Sequence, residues 1–175
     1  AFKGHVTLIS APAGYGKTTL VLQWLDHCRI PAVWFAIDEM DSDPDRFLRY
    51  VIASIRKIFP QFAPQIEPLL SSPTLPPLEY LTDTLVSDLA EPVKPWVLVL
   101  DDYHTIADET VQKIIIRIVQ HLPDNLHMVI EHSIGDGLFC EIFGGHKTCA
   151  EDADRLRAEM RRIAVIGISA KEDRA

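Results

Sequence analysis

The segment APAGYGKTTL, Ala11 to Leu20, constrains the fold more than any other stretch of the chain. Ahead of it, HVTLIS is apolar and rich in β-formers, which marks a short buried strand from Val6 to Ser10 that stops at Pro12 and Gly14. Behind it, Leu20, Val21, Trp24, Leu25 and Cys28 recur at three-to-four spacing, which predicts a helix over Lys17 to Cys28 packed on a sheet. A strand must therefore become a helix within a few residues that include two glycines, a lysine and two threonines.

Ala11 to Thr18 matches the P-loop (Walker A) pattern, with Ala at the first position where the general pattern has Gly. The chemistry explains the residue types. A loop around a phosphate chain must point successive backbone N–H groups inward and keep side chains clear, which Gly14 and Gly16 permit. The helix beginning at Lys17 adds its positive dipole end, and Lys17 supplies a mobile cation for the β- and γ-phosphates. The Thr18 hydroxyl is the candidate Mg²⁺ ligand, and Thr19 faces the α-phosphate. Ala13, Gly14, Tyr15, Gly16, Lys17, Thr18 and Thr19 together form the candidate nucleotide-binding set.

A second element carries matching chemistry. WVLVLDDYH places Asp101 and Asp102 at the carboxyl end of a buried strand, where open α/β sheets present their ligand crevice. Asp101 suits a Walker B role, holding Mg²⁺ through its water shell, and Asp102 suits orienting or deprotonating an attacking water. Asp102 and Lys17 are thus the candidate catalytic pair, and Thr18 and Asp101 the candidate metal ligands. An Asp pair after a strand also serves as an ordinary helix cap or loop, so the assignment draws its weight from the P-loop beside it.

The rest of the chain alternates. AVWFAI, Ala32 to Ile37, predicts a second strand. Asp43 and Pro44 predict the cap and first turn of a helix whose buried stripe is Phe47, Leu48, Val51, Ile52, Ile55 and Phe59. Six prolines between Phe59 and Leu78 limit that connection to a short turn of helix over Gln65 to Leu70. A helix from Leu78 to Leu89, one from Asp108 to His121 and a strand from Leu126 to Glu131 follow. Alternating strand and helix is the pattern of a parallel sheet covered on both faces.

The chain has 175 residues, about one domain, and 17 basic against 25 acidic side chains give a net charge of −8. That balance disfavours nonspecific attachment to DNA phosphates or anionic membranes, so DNA contact would need a domain absent from this chain. Its apolar runs fall well short of the roughly 20 residues of a membrane helix. Three cysteines without a disulfide framework suit a cytoplasmic setting. The sequence starts with Ala rather than Met, as a fragment or processed chain would.

LISAPAGYGKTTLVLQWL, VWFAIDEMDSDPDRFLRYVIASI, WVLVLDDYHTI and HLPDNLHMVI occur in one order that resembles a single family. From Lys3 to Ile130 the chain is similar to the nucleotide-binding domain of the large LuxR-type bacterial regulators related to the maltose-operon activator, members of the STAND class of signalling NTPases. The resemblance implies an α/β, three-layer P-loop NTPase fold of the RecA/AAA-like kind, with a mostly parallel sheet of about five strands. It also implies ATP and Mg²⁺ binding that switches a multidomain regulator from a closed monomer to a self-associated state, with slow hydrolysis as the reset. Gly14, Gly16, Lys17 and Thr18 carry over to phosphate and Mg²⁺ binding, and Asp101 and Asp102 to the Walker B pair. His104, within the family's DDYH, is expected to pack rather than to catalyse.

Residues 1–131 are expected to form the NTPase core, with 132–175 a divergent C-terminal segment of hairpin, helix and final strand. The family's polar sensor segment and its arginine are not matched after Ile130, and no arginine occurs between Arg117 and Arg155, which argues against efficient hydrolysis more than against binding. SIGDGLFCEI is weakly similar to the metal-binding hairpin of class III nucleotide cyclases, with Asp136 at the ligand position, although an Asp-Gly turn explains the same residues. His132, Cys140, His146 and Cys149 are zinc-type side chains at spacings that follow no familiar zinc pattern. Ala150 to Arg162 predicts a helix with Leu156, Met160 and Ile163 inward, and Ala164 to Ile168 a fifth strand; if that strand does not join the sheet, the last residues are disordered or belong to a junction. A nucleotide-dependent kinase or other ATPase, and a degenerate interaction fragment without activity, are the competing functions.

Overall fold

The computed structural model describes residues 6–74 and 76–133 and the backbone of 163–167. Strand β1, Val6–Ala11, feeds helix α1, Lys17–Cys28; β2, Ala32–Ala36, is followed by α2, Pro44–Arg56, α3, Ile66–Leu70, and α4, Leu78–Leu89. Strand β3, Trp96–Asp101, leads through α5, Glu109–Gln120, to β4, Leu126–Ser133, and β5 is Ile163–Gly167. The five strands form one sheet in the order β2-β3-β4-β1-β5, every pair parallel. The expected α/β class and parallel sheet are thus present.

Alternation along the strands divides the core. Val6, Leu8, Phe35, Leu98, Leu100, Met128 and Ile130 face α2, α4 and α5, whose buried stripes include Phe47, Ile55, Leu85 and Ile115. Ile9, Val97, Val99 and Val129 face the other way, where Val21, Trp24 and Leu25 of α1 cover them. Among the described residues α1 is the helix on that second side, and a cavity of about 250 Å³ lies between it and the sheet, lined in part by Thr7, Leu20, Trp24 and His127.

The punctuation expected from the sequence is in place. Asp43 Oδ1 accepts from the Arg46 amide at 2.8 Å, with Pro44 in the first turn of α2. Asp108 Oδ1 accepts from Thr110 N at 2.7 Å and Val111 N at 3.2 Å, so this residue caps α5 instead of opening it. In the proline-rich connection, α3 is held by α4: the buried Asp88 carboxylate accepts from Ile66 N at 3.1 Å. Trp96, wholly buried at the start of β3, meets the rings of Phe59 and Phe62 edge-on.

Two differences matter for the site. Strand β4 runs to Ser133, two residues past the predicted end at Glu131, because β1 pairs with it as far as Ala11↔Ser133. The fifth strand begins and ends one residue earlier than predicted and pairs with β1 from Val6↔Ile163 to Ser10↔Gly167, so it joins the sheet. The Asp136 turn, Cys140, His146, Cys149 and the predicted helix over 150–162 lie outside the described residues. No described helix is long and apolar enough to cross a membrane.

Candidate nucleotide-binding site

Parallel strands end together, and the carboxyl ends of β1, β3 and β4 lie side by side in the middle of the sheet. The chain leaves β1 at Ala11 and reaches α1 through Pro12 to Gly16, a loop in which Ala13, Gly14, Tyr15 and Gly16 are all exposed. Gly14 (φ +82°) and Gly16 (φ +75°) adopt left-handed backbone that a side chain would strain. A Cβ at either position would meet nothing within 4 Å, so glycine is required for backbone shape and not for room. Gly16 is the N-cap of α1 and supplies no side-chain acceptor to the first-turn amides. Those amides remain available to an anion.

Lys17 is buried, 8% exposed, and folds back over the loop. Its Nζ donates to Ala11 O at 3.1 Å, to Pro12 O at 3.4 Å and to Ser133 Oγ at 3.1 Å. The ammonium is thus held at the mouth of β1 and β4. Thr18 Oγ1 donates to Glu131 Oε2 at 3.3 Å, while Thr19 is exposed.

Asp101 ends β3, next to these groups. Its Oδ2 accepts from the Trp34 indole at 3.1 Å and its Oδ1 from the Asp102 amide at 2.9 Å, which fixes the carboxylate at the strand's end. Asp102 has left-handed backbone (φ 55°), uncommon without glycine, and stands exposed with Oδ1 3.8 Å from His104 Nδ1. The half-buried His104 ring packs edge-on to His132, centroids 6.2 Å apart. Packing is the role that the sequence suggests for His104.

Sequence reasoning misses Glu131. By pattern it is only the last residue of a core strand, yet it occupies the centre of the site: wholly buried, hydrogen-bonded to Thr18 and lying against the Asp101 carboxyl. Its Oε1 is buried without a donor. Burial first, then the negative charge of Asp101, pushes the Glu131 carboxyl up to about 7, opposed by the Thr18 hydrogen bond and the Lys17 charge. A signal exists, since a glutamate ending the apolar run LHMVI in a parallel strand must be buried beside whatever the other strand ends carry.

Lys17, Thr18 and Asp101 therefore converge, linked by Glu131. Asp102 stands at the rim and does not join that hydrogen-bonded cluster. The residues present fit a magnesium polyphosphate: open glycine amides, an uncapped helix start, an ammonium, a hydroxyl, and oxygen donors of the hard type such an ion takes.

Sheet order, strand-to-helix loop and site together define a P-loop NTPase fold of the RecA/AAA-like class. Two solved chains share the fold at a TM-score of 0.50, both from Drosophila ORC complexes with Cdc6. One, bound to GC-rich DNA, is 9% identical over 97% of this chain and 26% of its own; the other, bound to AT-rich DNA, is 10% identical over 94% and 48%. No family model matches the chain. In sequence it is 35% identical to the HTH-type transcriptional regulator MalT of Vibrio cholerae over 125 residues, and 34% identical to MalT of Serratia proteamaculans over 126. These matches cover 71% and 72% of this chain. The chain belongs to this family of MalT-related transcriptional regulators, and the match spans 14% of the length of those curated relatives.

Proposed function

We propose that this domain binds ATP with Mg²⁺ and serves as the conformational switch of a cytoplasmic bacterial regulator, self-associating when loaded and hydrolysing slowly or not at all. The observation that carries this reading is the open start of α1: first-turn amides without a side-chain acceptor, two left-handed glycines and a buried ammonium meet within one loop. Ala13 to Gly16, Thr18 and Thr19 would line the phosphates, and Lys17 would turn from its carbonyl acceptors toward the β- and γ-oxygens. Thr18 and Asp101 would hold the ion, which supplies charge neutralisation between β- and γ-phosphates.

Asp102 would orient a water, a reading supported by its exposed carboxylate next in sequence to the residue that would hold the ion. Slow turnover follows from the strand end of β4, where Ser133 meets Lys17 and no arginine is near in sequence to offset charge on a transferring phosphoryl group. We read residues 1–131 as the NTPase core and 132–175 as a divergent completion of the same domain, a reading supported by the pairing of β5 with β1. DNA contact would belong to a part of the regulator outside this chain.

Titration with a fluorescent ATP analogue in Mg²⁺ tests the proposal. Saturable binding that Lys17→Ala abolishes or weakens strongly is the expected result. Wild type indistinguishable from the variant would remove the switch reading, and rapid multiple turnover of phosphate would replace it with an ordinary ATPase.

A further inference from the structure

Glu131 has no role in a phosphate loop assembled from Lys17, Thr18, Asp101 and Asp102 alone. Its setting is nevertheless expensive to maintain. The side chain is wholly buried, Oε1 receives no hydrogen bond, and Oε2 receives one long contact from Thr18 at 3.3 Å. The neighbouring carboxyl, Asp101, stands one position beyond the Leu100↔Ile130 pair of β3 and β4; it repels Glu131 when both are ionised and hydrogen-bonds to it when one keeps a proton. Lys17 is the cation that the Glu131 carboxylate feels, and its Nζ already serves two carbonyls and the Ser133 hydroxyl. An unpartnered buried carboxylate oxygen costs several kcal/mol unless a proton or a cation compensates.

With both acids ionised, two carboxylates against one ammonium leave the cluster at −1. A divalent ion brings it to +1, the sign that an incoming polyphosphate requires. Donor chemistry agrees: a threonine hydroxyl and two carboxylates are hard oxygen ligands of the kind Mg²⁺ and Mn²⁺ take, and they come from three adjacent elements, α1, β3 and β4.

We propose that Glu131 is a third side-chain ligand for the divalent ion, joining Thr18 and Asp101, so that the domain holds the metal before nucleotide arrives. The inference rests on the nucleotide-site reading for the roles of Thr18 and Asp101 and deepens it. Metal would load first and act as part of the receptor for the phosphates. Glu131 then substitutes geometrically fixed charge for a component that otherwise arrives with the nucleotide.

The test is Mn²⁺ alone, followed by electron paramagnetic resonance and by calorimetry, on the whole chain in the absence of nucleotide. Wild type is expected to bind one Mn²⁺ saturably, with Mg²⁺ competing, and Glu131→Gln to weaken binding by roughly tenfold or more. Glu109→Gln, an exposed carboxylate on α5, is expected to leave it unchanged. Circular dichroism and thermal unfolding without metal establish that each variant is folded; should Glu131→Gln not fold, Glu131→Asp replaces it, with an intermediate affinity expected. Absence of saturable Mn²⁺ binding to wild type, or equal affinity in Glu131→Gln, overturns the inference. ATP binding that still depends on Lys17 would then leave the nucleotide reading standing. Mn²⁺ binding that needs Glu131 in a chain that binds no ATP would sink the nucleotide reading alone.

Discussion

Among the described residues, two wholly buried carboxylates each keep one oxygen that no donor reaches, and they lie toward opposite ends of the parallel strands. Asp88, near the end of α4, sits on the side where β3 begins; Glu131 sits where β4 ends. Burial pushes both upward from their ordinary carboxylate values. Around Asp88, however, the compensation is backbone amide and the Arg56 charge, and the nearby rings of Phe59, Phe62 and Trp96 build an apolar cluster. Around Glu131 it is a lysine and a threonine hydroxyl, and a second acid works against them. Burial of a charge therefore does not mark a site; the chemistry of its neighbours does. Asp88 ties two helices together, whereas Glu131 leaves ionic demand unmet.

Mutations at the two ends should separate fold from binding. The largest effect is expected from Trp96→Ala, which empties the aromatic cluster at the Asp88 end and should cost about 3–5 kcal/mol in urea unfolding. Lys17→Ala, at the other end, should weaken fluorescent-nucleotide binding by about 2–3 kcal/mol, roughly 30- to 150-fold, while its urea midpoint moves far less than that of Trp96→Ala. If the two variants lose nucleotide affinity and stability in the same proportion, the division between ends is wrong.

A pH series sharpens the contrast between the acids. The folded Glu131 carboxyl titrates near 7 against an ordinary 4.5, so its protonated form is favoured by folding. Stability it contributes is present below pH 4.5 and is lost as pH rises through 7. Metal-free Glu131→Gln should therefore exceed wild type by about 1–3 kcal/mol at pH 8 and match it near pH 4.5, read by thermal unfolding in chelator. Asp88 is also raised, so Asp88→Asn should remove a decline that begins nearer its own ordinary value of 3.8, without altering Mn²⁺ affinity. The smallest effect, about 1 kcal/mol, is expected for Asp108→Ala, which removes the α5 cap and should leave both ends chemically intact.

The helices and strands are legible because each carries its own period and its own caps. Leu78–Leu89 and Lys17–Cys28 are helices over the ranges their apolar spacing predicts, and Asp43 acts as a local signal that needs no tertiary context. The P-loop shape is legible too, through glycines whose backbone angles few other residues adopt without strain. Glu131 is not, because its significance depends on β4 lying between β1 and β3, a sheet order that no local pattern encodes. The same order explains why Ser133 reaches Lys17 across 116 residues of sequence. Asp102, next in sequence to Asp101, lies just past the end of β3 with left-handed backbone, so its exposed position at the rim follows from a turn that the strand pattern does not encode.

Strand β1 pairs only with β4 and β5, so Val6 must find Met128 and Ile163 rather than anything nearby in the chain. A nascent polypeptide that has emerged as far as β3 already displays the whole glycine loop and Asp101, yet its first strand has no neighbour to zip onto. The strand ends that carry Lys17 and Asp101 can therefore be brought side by side only once β4, which lies between β1 and β3, has left the ribosome.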